Sequence, residues 1–398
     1  MEYKFSDRVL TLKPSAIREI FKYAADPSYV SLSAGNPAPE AFPSKQLAAI
    51  SAKLMEEEPI LALQYSTTEG YPPLLQHLKA YMKSSRNIGT EDDGVLVTSG
   101  AQQIMDLFTK SILNEGETVI CEAPSFIGSL NDFRSYKAKL VGIPMDTDGM
   151  NMEALEKALE TEKNVKFIYT IPNFQNPSGI TMSLEKRHRL YELAKAHDVM
   201  ILEDNPYGEL WYDRQPPKPI RCYAPERTLT MGTFSKVLSP GFRLGYIIGP
   251  KAALDPLTTI KQAVDLHTST FTQLISARCL DEGLMKSHMP DVRALYRTQC
   301  HCMLDALERY FPEGTTWTKP DGGMFIWVTL PEYINTDDMM KEALDRKVAY
   351  VPSSAFYANE PKFNQMRLSF VTVPPEKIDQ GVKVLAELVK EKMAAHNA

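Results

Sequence analysis

The chain has 398 residues, 43% hydrophobic and 24% charged, a globular composition long enough for more than one core. A net charge of -6 excludes the basic face of a nucleic-acid platform, so any phosphate binding must be local. The first residues, Met1 to Arg8, lack an apolar signal core, and no segment reads as a membrane span.

Residues 1–34 read as an arm. Pro14-Ser15 opens a short helix, Ala16 to Ala24, with Ile17, Ile20 and Phe21 on one face. Arg18 lies off that face and on pattern alone is a solvated charge. Val30 to Ala34 begins like a strand and ends in the Gly/Asn/Pro turn Gly35-Asn36-Pro37. Gly35 serves turn geometry or gives a small ligand access to the backbone. Helices are expected over Ser44–Glu57 and Pro73–Tyr81, with Leu63–Ser66 and Glu69–Tyr71 in loop.

Gly94 to Phe108 reads as strand, tight turn and amphipathic helix. The turn Ser99-Gly100-Ala101-Gln102 presents free N–H groups at a helix start, a setting suited to phosphate. Its glycine pattern matches neither a P-loop nor the dinucleotide fingerprint. Thr118–Glu122 is a strand, and Phe126 just past it either stacks on a planar ring or packs on the core. A strand at Lys139–Pro144 and a helix at Met152–Thr161 follow. The strand Val165–Pro172 runs into Asn173-Phe174-Gln175-Asn176-Pro177-Ser178-Gly179, turn chemistry expected of a ligand-facing loop. After a helix over Leu184–His197, the strand Val199–Asp204 ends in acid and continues to Tyr207. An acid at the carboxyl end of an apolar strand faces a ligand crevice or caps a turn.

The strand Arg227–Met231 delivers Thr233-Phe234-Ser235-Lys236, with Pro240-Gly241 and Arg243 beyond. A lysine here is costly to bury as an unpaired ammonium but useful as a neutral amine that forms a Schiff base. The hydroxyls and Arg243 would then hold an anion. Tyr246–Pro250 is a strand, and Pro256–Glu282 reads as one long helix. Past a helix at Val292–Phe311 the pattern changes to the strands Gly323–Pro331, Val348–Pro352 and Gln365–Phe370, ending in a helix over Pro375–Ala394. This predicts an arm (1–34), a large domain (35–290) and a small domain (291–398) completed by the arm. Arg367, in an alternating strand, reads on pattern as an outward-facing charge.

The five cysteines, Cys121, Cys222, Cys279, Cys300 and Cys302, form no disulfide framework and fit a reducing, cytoplasmic setting. Cys300-His301-Cys302 lies in a helical pattern where i and i+2 do not share a face, and no metal is expected.

Taken together these residues supply a phosphate nest, a ring stack, ring-oxygen partners, a ring-nitrogen acid and a lysine, the parts needed to hold pyridoxal phosphate. Asn176-Pro177-Ser178-Gly179, Asp204 with Tyr207, and Ser235-Lys236 followed by Arg243 resemble the class I aminotransferases of the fold-type-I pyridoxal-phosphate family. The turn from Ala34 to Glu40, Leu63–Ser66 and Phe234–Gly241 are similar to its 2-aminoadipate and kynurenine aminotransferase branch. The resemblance implies an α/β fold: a mostly parallel seven-stranded sheet between helices, plus a smaller α+β domain. It implies that Lys236 forms the Schiff base and shuttles the proton, while Asp204 keeps the ring nitrogen protonated. Asn176 and Tyr207 would bond the ring oxygen, with Phe126 stacked on the ring. Gly100, Ala101, Gln102, Thr233, Ser235 and Arg243 would hold the phosphate. Relatives carry serine where Ala101 stands, so one hydroxyl contact is missing and the backbone N–H remains. Tyr65 would reach the cofactor of a partner subunit in a homodimer with shared sites. Arg367 would pair with the substrate α-carboxylate, Gly35 and Asn176 would line the substrate, and Arg18 would read a distal carboxylate. The implied reaction moves an amino group from an L-amino acid (2-aminoadipate, aromatic, kynurenine or another bulky type) to a 2-oxo acid such as 2-oxoglutarate. A β-lyase, a decarboxylase or a non-catalytic sensor domain with the same cofactor are the alternatives.

Overall fold

A computed structural model describes residues 3–6, 23 and 26–397. The expected helix around Arg18 lies outside the described residues.

Apolar runs buried on both faces form the centre, as a sheet covered by helices requires. Its strand order is Asp93–Thr98, Gly245–Pro250, Thr228–Thr233, Met200–Asp204, Val165–Thr170, Thr118–Ala123, Lys139–Asp146 and Gly149–Met150. The strands from Thr228–Thr233 to Lys139–Asp146 pair in parallel. Gly245–Pro250 runs antiparallel to both its neighbours. The sheet therefore has eight strands where seven are expected. The extra one, Gly149–Met150, is a two-residue antiparallel edge, too short to carry a hydrophobic period.

Helices cover the sheet because their apolar stripes match it. Ala101–Ile112 buries Ile104, Met105, Leu107 and Phe108. Phe108 meets Phe167 edge-on at 4.9 Å, and Phe133 meets both Phe167 and Tyr169 at 5.4 Å. Helix starts are set by local chemistry: Asn151 accepts from the Ala154 N–H and Ser183 from the Lys186 N–H, caps each worth about 1 kcal/mol. The span expected as one helix, Pro256–Glu282, is two: Lys251–Val264 and Thr270–Asp281. The break is where the Asp265 carboxylate takes Lys261 Nζ at 2.5 Å, Ser99 Oγ at 2.8 Å and Gln103 Nε2 at 2.8 Å. These contacts fix the corner beneath the Gly100 turn.

A second, antiparallel sheet has the order Thr316–Trp317, Phe325–Thr329, Gln365–Ser369 and Val351–Pro352. Val30–Ser31 pairs in parallel with Val348–Ala349, and Ser369 N donates to Leu32 O at 2.7 Å. The end of the arm is thus stitched to the C-terminal third. The helix Leu284–Tyr310 runs through residue 290 with Pro290 inside it, so the expected boundary falls within a helix rather than in a linker. Among the described residues no helix is long and apolar enough to cross a membrane.

Candidate active site

The parallel strands end on one side of the large sheet, and their carboxyl ends deliver the polar residues. Asn176, Asp204, Tyr207, Thr233, Ser235 and Lys236 line one cavity of about 610 Å³. Gly35, Ala101, Gln102, Phe126, Arg243 and Arg367 line the same cavity. A larger cavity of about 870 Å³ lies behind the Asn176 loop, against Phe174 and Trp317. Its lining holds neither Lys236, Asp204 nor Arg367, so chemistry rather than size selects the smaller one.

Lys236 follows the buried strand Thr228–Thr233, and its Nζ donates to the Gly35 carbonyl at 2.7 Å. That partner is neutral. Burial, with help from Arg367 and Arg243, lowers the Lys236 ammonium to about 8. Lys261 is fully buried but paired with Asp265. An ammonium paired with a carboxylate is structural, whereas one beside two guanidinium groups is primed to be a neutral amine.

Asp204 ends its strand buried. Its Oδ2 accepts from the Tyr169 hydroxyl at 2.7 Å, and its Oδ1 is buried with no hydrogen-bond partner. Burial raises the carboxyl to about 7, and the Tyr169 bond opposes the rise. The unfolded chain would lose this proton near the ordinary value of about 3.9. A raised carboxyl therefore adds stability below pH 4, and this is lost as pH rises through 7. In cofactor-free protein, the thermal midpoint of Asp204→Asn is expected to gain on that of the unsubstituted protein across that window. A constant difference in melting scans from pH 4 to 8 would contradict it.

Asn176 splits its amide between two partners. Its Nδ2 donates to the Tyr207 hydroxyl at 3.3 Å, and its Oδ1 accepts from Arg367 Nη1 at 2.9 Å. Arg367 is buried, not outward-facing as its alternation suggests: 4% of it is exposed. Its Nη2 donates to Ser33 O at 2.7 Å, its Nε has no partner, and its guanidinium lies 4.2 Å from the Phe325 ring centre. The lining holds no carboxylate to pair with it other than Asp204, whose contact is Tyr169.

At the other end of the cavity, Gly100 precedes the helix Ala101–Ile112, which has no side-chain cap. Its first N–H groups are free to take an anion, and the helix dipole favours one. Gly100 has φ 86°, and a Cβ there would stand 2.5 Å from Arg243 Nη2. Glycine thus lets the arginine lie against the turn. Thr233 Oγ1 lies 2.9 Å from Ser235 Oγ and accepts from the Ser235 N–H at 3.1 Å. Ser99, included in the expected nest, points its hydroxyl to Asp265 instead. Phe126 sits half-buried over Gly128, where a Cβ would stand 2.5 Å from its ring.

Of the expected residues described, Gly100 and Tyr65 are not among those that line this cavity, and Gly100 borders it through the turn before Ala101. Tyr65 is exposed, with its ring edge-on to His267 at 5.6 Å. Arg18 lies outside the described residues. Sequence reasoning missed Tyr169, Glu122 and Gln175, which read as core or turn residues. Their role comes from register: Cys121 pairs with Tyr169, which sets Glu122 beside Thr170. Among the described residues no cluster of three or more His, Cys, Asp or Glu could hold a metal ion.

A lysine, an acid and an arginine thus converge in one cavity beyond the strand ends of an α/β sheet. The sequence matches the family Aminotransferase class I and II over residues 27–385. The chain belongs to that family and is an aminotransferase. It is 43% identical to aromatic-amino-acid aminotransferase 1 of Thermococcus litoralis, over 98% of this chain and 95% of that one. The kynurenine aminotransferase of Pyrococcus horikoshii, solved in complex with PMP, KYN as substrates and KYA as products, superposes with a TM-score of 0.95 at 41% identity. That match covers 98% of this chain and 97% of the other. The α-aminoadipate aminotransferase of Thermus thermophilus, complexed with N-(5'-phosphopyridoxyl)-L-leucine, gives 0.91 at 35% identity, over 98% of both chains.

Proposed function

We propose that the protein uses pyridoxal 5'-phosphate to move an amino group between an L-amino acid and a 2-oxo acid such as 2-oxoglutarate. The donors are 2-aminoadipate and aromatic or kynurenine-type amino acids, the classes named for its relatives. The observation that carries this reading is the pair of unanswered groups in one cavity: Asp204 Oδ1 without a partner and Lys236 Nζ without a counter-charge.

The residues fit the cofactor. Gly100, Ala101, Gln102, Thr233, Ser235 and Arg243 would hold its phosphate, Phe126 its ring face, and Asn176 with Tyr207 its ring oxygen. When bound, the group supplies an aldehyde that condenses with amines and a ring that accepts electrons. Asp204, kept in place by Tyr169, holds a proton at the ring nitrogen as an ion pair, which returns its own carboxyl to the ionised form. Arg367 orients the substrate by its α-carboxylate, with Gly35 and Asn176 on either side. Lys236 Nζ, as a neutral amine, would take the proton from the substrate Cα and deliver it to the cofactor's former aldehyde carbon, and would carry a proton the opposite way in the return half-reaction. Arg18 would read a distal carboxylate when the donor has one.

The large unit (35–290) would carry the cofactor, and the small unit (291–398), joined by the arm (1–34), would carry Arg367. A homodimer is supported by the exposed apolar residues Ile60, Leu63 and Tyr65, close together in sequence, and by Leu266 next to His267, whose ring Tyr65 meets edge-on. Tyr65 would there reach the phosphate in the other subunit's site. Five unpaired thiols, three of them buried, support a cytoplasmic setting.

The test is a donor panel followed by the visible absorption of the holoprotein and by 2-oxo acid release. 2-Aminoadipate, kynurenine, phenylalanine or leucine is expected to convert the bound cofactor to its amine form without any 2-oxo acid present. Release of carbon dioxide or of a β-substituent without the amine form would overturn the reaction class.

A further inference from the structure

Glu122 is a buried carboxyl with no role in the steps above. Its Oε1 accepts from Thr170 Oγ1 at 2.6 Å, and its Oε2 accepts from the Ile171 N–H at 3.3 Å and from Gln175 Nε2 at 3.0 Å. Gln175 Nε2 also donates to Pro124 O at 2.8 Å, while its Oε1 accepts from the Ser178 N–H at 2.8 Å. Gln175 stands directly before Asn176, and Pro124 stands two residues before Phe126. One carboxyl and one amide therefore tie the turn that carries Phe126 to the loop that carries Asn176.

We infer that Glu122 and Gln175 are a positioning pair that sets Asn176, and through it Tyr207 and Arg367, so that cofactor and substrate contacts are aligned together. The inference rests on the role given to Asn176 above. Asn176 has one amide for two jobs: its Nδ2 meets Tyr207 and its Oδ1 meets Arg367. A small shift of its backbone breaks both bonds. The loop's own backbone closes on itself, with Gly179 N donating to Gln175 O at 2.6 Å and Gln175 N to Ile180 O at 2.9 Å. Those bonds give the loop its shape. The Gln175 side chain gives it its place relative to the neighbouring strand.

The donors around Glu122 also say where a proton can sit. The Ile171 N–H and Gln175 Nε2 can only donate, so Oε2 must accept. The Thr170 hydroxyl can reverse and accept, so Oε1 can carry a proton. Burial pushes this carboxyl up to about 7, against its hydrogen bonds, and the nearby Asp204 charge adds to the rise. Glu122→Gln, with its amide nitrogen at Oε1, keeps every contact. Glu122→Ala removes them all.

The test compares Glu122→Ala, Glu122→Gln, Gln175→Ala and Asn176→Ala as purified holoenzymes. Three quantities are read: the pH midpoint of the cofactor's visible band, KM for the amino donor, and kcat. Glu122→Ala and Gln175→Ala are expected to move the midpoint in the same direction as Asn176→Ala, by about half a unit or more. They are also expected to raise donor KM about 10-fold, the scale of one or two lost hydrogen bonds. Glu122→Gln is expected to stay within about 2-fold of the unsubstituted enzyme on that scale. Midpoint and KM unchanged in Glu122→Ala and Gln175→Ala, while Asn176→Ala moves both, would overturn the pair's role. Glu122→Gln as impaired as Glu122→Ala would overturn it too, because the charge rather than the bonding pattern would then matter. If Asn176→Ala itself moves nothing, the role given to Asn176 fails first. Should Glu122→Ala not fold, Gln175→Ala and Glu122→Gln decide between these results.

Discussion

Lys236→Ala is expected to lower the turnover of amino transfer by about 10⁴-fold or more, the upper end of what a positioned proton carrier contributes. Melting temperature should stay the same or rise. Both effects follow from one feature. Lys236 Nζ touches a neutral carbonyl at 2.7 Å and has two guanidinium groups among its electrostatic neighbours. No ion pair is lost when it is removed, so the cost falls on chemistry rather than on folding. Lys261 gives the contrast. Its ammonium is buried against Asp265 at 2.5 Å, and because Asp265 is part-exposed and keeps Ser99 and Gln103, removing Lys261 costs about 1.5–3 kcal/mol, the scale of a lost charged hydrogen bond. Steady-state rates and melting scans of Lys236→Ala and Lys261→Ala are expected to show opposite patterns. Full turnover in Lys236→Ala would sink the assignment.

Arg367→Lys is the second large effect: kcat/KM for the amino donor is expected to fall about 10²-fold, mostly through KM, as for a lost charge-assisted fork. A guanidinium has five N–H groups in a plane. One goes to Asn176 and one to Ser33 O, which leaves the rest for a carboxylate. Phe325 and Phe356, at 4.2 Å and 5.3 Å, hold the plane in place. Lysine keeps the charge but cannot reach both protein acceptors and grip two carboxylate oxygens at once. Steady-state kinetics with amino donors check this. An unchanged KM would mean that Arg367 holds the fold and not the substrate.

The residues legible in the sequence share one property. Lys236, Asp204 and Asn176 each stand where an apolar run gives way abruptly to polar turn residues, and such ends collect at a ligand crevice in an α/β sheet. Arg367 was not legible from its own strand. Alternation assigns faces of a sheet, but Gln365–Ser369 lies between two other strands with Met366 to Ser369 all buried. Only the family resemblance gave it a role. The break near Asp265 was hidden because its partners Ser99 and Gln103 are about 160 residues away in sequence. Glu122 and Tyr169 were hidden for a related reason: each acts through the register of adjacent parallel strands, which periodicity does not encode, and Gln175 meets Glu122 from the loop beyond them.

Every role proposed for the site requires that the cofactor attach to Lys236. Borohydride reduction of the purified holoprotein, followed by peptide mass mapping, tests this most directly. The expected result is a phosphopyridoxyl group on the peptide containing Lys236 and on no other lysine. A stable adduct on a different lysine, or a bound cofactor that borohydride leaves unattached, would contradict it.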